Sequence, residues 1–187
     1  MNTSYVEPRN FIDALIPGVG VRSQALGTKC EAALRAFGGR VIGYVRAAAA
    51  EAPPRRRKQL DAFASTIDET QEVSPNAVFL VRKALVCATG ARTNRPNSDL
   101  IPVLRVWGPE MMDRLVREAF LNRSKPTVCL RMLEVFEQLG GSCGDNAWQE
   151  LLQLSLTTKN SAVRAMANKL VLGSAPSLQF SEPGVSA

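Results

Sequence analysis

Met112, Leu115, Val116, Ala119 and Phe120 recur at i, i+3, i+4, i+7 and i+8, the spacing of one apolar helix face. The polar connector Asn122-Arg123-Ser124-Lys125-Pro126 follows, then a second stripe at Val128, Met132, Val135, Phe136 and Leu139. Thirty-six residues after the first stripe, Trp148, Leu151, Leu152, Ser155 and Leu156 repeat it. Lys159-Asn160-Ser161 takes the connector's place, and Val163, Ala167, Leu170 and Val171 repeat the second stripe. Two helices per unit at a period of roughly 35 residues is the signature of an α-helical array. The pattern predicts two stacked antiparallel hairpins over 110–173, each covering the apolar face of the other.

Upstream, the same spacing predicts further helices. Phe11, Ile12, Leu15 and Ile16 mark a short one ended by Pro17-Gly18, after an irregular arm. Residues 22–37 form the next, starting near Ser23 and stopped by Gly38-Gly39. Residues 40–52 follow, carrying the Ala47–Ala50 run, until Pro53-Pro54 breaks the chain. A helix is expected from Gln59 through Leu60, Phe63, Ala64 and Ile67. Ser74-Pro75 then reads as an N-cap and first helical position for the apolar helix Asn76–Thr89. Ser98 or Asp99 opens a short helix that tolerates Pro102 only in its first turn. After Gly173 the periodicity ends, and the remainder reads as a tail.

The expected fold is therefore all-α: about eight helices in stacked hairpins, as a solenoid or bundle, with an N-terminal arm and a C-terminal tail. Three segments are distinguished: a basic helical segment with its arm over 1–58, a repeat-like core over 59–173, and the tail over 174–187. With 45% hydrophobic but only 6% aromatic residues, helices packed through Ala and Leu are favoured over a sheet sandwich.

Charge and chemistry narrow the function. Residues 1–58 hold ten Lys/Arg against four Asp/Glu, whereas residues 59–187 hold thirteen of each, so the net +6 lies at the N-terminal end. Such asymmetry points to phosphate, an acidic partner or an anionic surface. Its densest part is Arg55-Arg56-Arg57-Lys58, joined by Arg92 and Arg95 in the polar loop 91–97. These six are the candidate contacts for nucleic acid or an acidic partner. A solvated charged turn is the alternative, since cations at a helix start oppose its dipole.

No histidine is present, which excludes Ser-His-Asp and Cys-His catalysis within one chain and any His-ligated zinc. Cys30, Cys87, Cys129 and Cys143 are widely spaced and read as structural thiols rather than metal ligands. Gly18-Val19-Gly20 lacks both a third glycine and a G-K-[ST], and so reads as a turn, not a phosphate loop. The acidic group Asp68-Glu69-Glu72 reads as loop decoration, and Trp107 as a core anchor. No catalytic residue, cofactor, metal or small-molecule substrate is expected, and no membrane span.

SAVRAMANKLV (161–171) and KPTVCLRMLEVFEQLG (125–140) resemble the second helix of HEAT repeats, with a looser echo at Val81-Arg82-Lys83-Ala84-Leu85. That resemblance implies a right-handed stack of helix pairs used as a scaffold or docking surface. Asn76-Ala77-Val78, Ala84-Leu85 and Arg92-Thr93-Asn94-Arg95 resemble the helix and RNA-contacting arginine loop of rod-shaped plant-virus coat proteins. That second resemblance implies a helical protein that polymerises around RNA.

The functional expectation is a non-enzymatic interaction or scaffold subunit, with a protein partner or its own copies, in a reducing, cytoplasmic setting. The alternative is a coat-like or packaging protein, in a virion, that meets nucleic acid through the basic region.

Overall fold

A computed structural model of the chain describes residues 8–91 and 100–173. Among them are ten α-helices: α1 (Pro8–Leu15), α2 (Gln24–Arg35), α3 (Val41–Glu51), α4 (Pro54–Ala64), α5 (Ala77–Gly90), α6 (Ile101–Arg105), α7 (Pro109–Leu121), α8 (Pro126–Gln138), α9 (Asp145–Thr157) and α10 (Ser161–Gly173). Two 3₁₀ turns, Ile16–Gly18 and Gly38–Arg40, join the early helices, and no strand occurs among the described residues. The ten include two short helices, α1 and the five-residue α6.

The duplicated pattern folds as two hairpins. Helix α7 packs on α8 and α9 on α10, while α7 also lies on α9 and α8 on α10, which makes two layers. Proline sets the first turn of α7 (Pro109) and of α8 (Pro126), where its missing N–H costs nothing. At α10 the Asn160 side chain accepts the N–H of Val163 at 3.1 Å, a cap on an otherwise orphan donor. Leu115, Val116, Ala119, Cys129, Leu133, Val135, Phe136, Leu151, Leu154, Val163 and Ala167 are all fully buried between the layers. Arg117 pairs with Glu150 at 2.5 Å and Lys169 with Glu137 at 2.5 Å across the rim. Exposed pairs of this kind contribute about 0–1 kcal/mol, so the apolar stripe sets the register.

The core does not stop at residue 58. Helix α5 packs on α8 and α7, α2 packs along α5, and α1 sits against α2, α3 and α5, so one apolar cluster runs from Ile12 to Leu170. Gly90, at the end of α5, lies where a Cβ would come within 2.8 Å of Val128, and that close approach seats α5 on α8. Arg131 of α8 donates to the Ala91 carbonyl at 2.7 Å and ties off the same end.

Four expectations shift. The helix expected from Gln59 begins at Pro54, because proline suits the first helical position, so the basic cluster is helical rather than a preceding turn. The α5 helix begins at Ala77, because Ser74 is spent on a turn: its hydroxyl takes the Asn76 N–H at 3.3 Å and its carbonyl the Ala77 N–H at 2.9 Å. Gly38-Gly39 stops α2 and also seats the 68–75 loop, through Gly39 N–H to Gln71 O at 2.9 Å and Ser74 N–H to Ala36 O at 2.8 Å. Leu156, read as part of the α9 stripe, is 73% exposed, and Ala147 and Leu154 are buried in the α9 stripe.

Candidate functional site

The four cations of the basic cluster occupy the first turns of α4, and the structure divides them. Arg56 is half-buried and donates to the carbonyls of Val19 and Ile16, the latter at 2.6 Å. Burial lowers the pKa of its guanidinium. Arg57 donates from Nε to Ala49 O at 3.1 Å and from a terminal nitrogen to Ala50 O at 2.9 Å. Both arginines thus bind carbonyls near the ends of earlier helical segments, where Ile16 O and Ala49 O also accept the N–H of Val19 and Ala52 and a cation favours the helix dipole. Arg164 does the same at the end of α9, donating to Thr158 O at 3.1 and 2.7 Å. Arg57 and Arg164 each stand fourth in the second helix of a hairpin.

Arg55 and Lys58 are exposed. Lys58 lines an open groove of about 540 Å³ on α4 with Pro54, Arg57, Asp61, Ala62 and Ser65. Of the six candidate contacts, then, Arg55, Arg57 and Lys58 are exposed, and Arg56 and Arg57 are engaged in holding the fold. Arg92 and Arg95 lie outside the described residues. Substituting Arg56 by Ala should cost about 2–3 kcal/mol by removing two charge-assisted hydrogen bonds, whereas Arg55→Ala should cost under about 0.5 kcal/mol. Arg56→Lys should recover little, since an ammonium cannot span both acceptors. Chemical denaturation of the three variants checks this.

Other polar groups have structural contacts, although the buried Nε1 of Trp107 and Nε of Arg82 have no hydrogen-bond partner among the described residues. Asp68 accepts the Thr70 hydroxyl at 2.7 Å and the Thr70 N–H at 2.9 Å, bonds that hold its carboxyl below the usual range. Glu69 pairs with Arg46 at 3.7 Å on the surface. Gly18 is buried against Cys30, and Gly20 N–H donates to Glu31 at 3.2 Å, so that turn packs rather than cradles a ligand. Trp107 is half-buried under the Arg82 guanidinium at 4.5 Å and beside Phe11 at 5.2 Å, with Arg82 also paired to Glu110.

Burial pushes Cys30 up to about 12, with smaller contributions from neighbouring Cys87 and Glu31. Burial likewise pushes Cys129 to about 11 and, with help from Asp113, Cys143 to about 11. Below the ordinary value of 9.0 both folded and unfolded states keep these protons. Above it the unfolded chain loses them first and stability falls. Thermal melts should therefore be insensitive to these thiols up to about pH 8.5, and a Cys30→Ala variant should lose less stability than the parent between about pH 9 and 11.

Among the described residues no helix is long and apolar enough to cross a membrane. Comparison with known protein families, characterised proteins and solved structures found no match to this chain.

Proposed function

We propose that this chain is a non-enzymatic interaction or structural module that works inside a larger assembly, built on a HEAT-like stack of hairpins. One observation carries the reading: the last described hairpin is unfinished on its outer side. In α7 the row Met112, Val116 and Phe120 is buried or half-buried, with α9 alongside. In α9 the equivalent row has Trp148 and Leu152 half-buried and Leu156 73% exposed, and Leu172 of α10 is 83% exposed. A repeat array that ends in solvent carries a polar outer face on its terminal unit. Apolar residues there support the docking of another protein or a second copy.

Light scattering over a concentration series tests this, with Leu156→Glu/Leu172→Glu as the comparison. Association of the parent chain, or a stable partner on copurification, that the double variant loses would support the reading. A parent chain that is monomeric and partner-free at every concentration would remove it.

A second reading, a coat-like or packaging protein that meets nucleic acid, is favoured by Arg55 and Lys58, which stand exposed on α4 beside two arginines already engaged. Charge reversal of Arg55 and Lys58 alone should abolish that contact without unfolding the chain.

A further inference from the structure

On the edge where α7 turns into α8 and α9 into α10 lies a groove of about 580 Å³. The first turn supplies Arg123 and Ser124, and the second Thr158, Lys159 and Asn160. Two cations line it and no carboxylate does. Arg123 spends one donor on Phe120 O at 3.1 Å, and its remaining donors have no partner among the described residues.

Thr158 is the telling residue. It is only 7% exposed, its N–H goes to Leu154 O at 3.2 Å, and its carbonyl is held twice by Arg164. Its backbone is fully used, yet its hydroxyl has no partner among the described residues. Thr158 lines the groove, and its hydroxyl is not among the polar atoms shut off from solvent, so it is open to an acceptor there. Helices α8 and α10 both begin at this edge, and Lys125, the residue before α8, makes no side-chain cap. The positive ends of two helices therefore add to the two side-chain charges.

We propose that this groove binds a backbone phosphate of nucleic acid, with Arg123 and Lys159 supplying charge and the Thr158 hydroxyl donating to a phosphate oxygen. A polyanion fits better than a single phosphorylated residue. Lys125 continues the cationic edge, Arg55 and Lys58 stand exposed on α4, and the chain as a whole is basic, with a pI of about 9.5. No aromatic side chain lines the groove, so the contact is to backbone rather than bases, and single and double strands both qualify. The site is independent of the apolar face of α9 and α10.

Fluorescence anisotropy with labelled single-stranded RNA and duplex DNA, over a salt series, tests the site in the full chain. Arg123→Ala/Lys159→Ala should weaken both about 5- to 20-fold and flatten the salt slope by about 1.5, the share of two phosphate contacts. Thr158→Val keeps shape and charge, and should weaken binding about 2- to 4-fold with the slope unchanged. Arg22→Ala/Arg40→Ala removes the same charge from exposed positions elsewhere and should bind within about 2-fold of the parent. The groove effect should persist in an Arg55→Ala/Lys58→Ala background, which separates this site from the α4 contact.

The proposal is overturned if the Arg123/Lys159 variant binds like the parent, or if the Arg22/Arg40 variant loses as much. It is equally overturned if the parent binds a phosphorylated peptide but neither nucleic acid.

Discussion

Replacing Gly38 by Ala should destabilise the fold by about 3 kcal/mol or more, with a matching drop in the urea midpoint. Gly38 holds φ +65°, in the left-handed region, which alone costs an L-residue on the order of 1–2 kcal/mol. A Cβ there would also collide with the Gln71 carbonyl and lie 2.8 Å from Glu72 O. Neither neighbour is a flexible tip, because the loop backbone is pinned by Gly39 N–H to Gln71 O and Ser74 N–H to Ala36 O. Relief therefore means undocking the 68–75 loop. Gly43 gives the opposite sign. It lies within α3, exposed, and a methyl placed on its Cα would meet nothing within 4 Å, so Gly43→Ala should stabilise by about 0.5–1 kcal/mol.

Phe136→Ala should cost about 3–5 kcal/mol. The ring is fully buried in α8, which packs on α5, α7 and α10. Against a total stability of about 5–15 kcal/mol, that loss leaves a marginal fold. Leu156→Ala, in the same hairpin stack, should change monomer stability by less than about 0.5 kcal/mol, since the side chain is already 73% exposed. A large cost at Leu156 in the isolated chain would mean that its outer face is covered. Urea titrations of both variants, read as free energies, make the comparison.

How much was legible in the sequence depended on range. The stripes at Met112–Phe120 and Val128–Leu139 and their repeats are local, so periodicity alone placed the bodies of α7 to α10. Helices α7 and α9 begin earlier, at Pro109 and Asp145, and Pro126 and Ser161, read as connector, open α8 and α10. Leu156 marks where that logic stopped. Its spacing matches Phe120, but whether a position is covered depends on a neighbouring helix, and none follows α9 and α10 among the described residues.

The basic cluster shows the same limit in electrostatics. The excess charge at 1–58 could be counted, but the partners of Arg56 lie 37 and 40 residues away, and no local pattern distinguishes it from Arg55. Gly38-Gly39 could be read as a helix stop; its second role, a seat for a loop some thirty residues on, needs the tertiary fold. The turns holding Arg123, Thr158 and Lys159 were visible only as polar connectors. Their significance arises because the 36-residue repeat brings both to one edge.

Amide hydrogen exchange followed by mass spectrometry tests the central claim most directly, that the α7–α10 hairpins bury their apolar faces in one core continuous with α2 and α5. Peptides from α2, α5, α7, α8 and the inner face of α9 should exchange slowly and with similar protection, as one cooperative unit. Exchange of α7–α10 within seconds while α2 and α5 stay protected would contradict it.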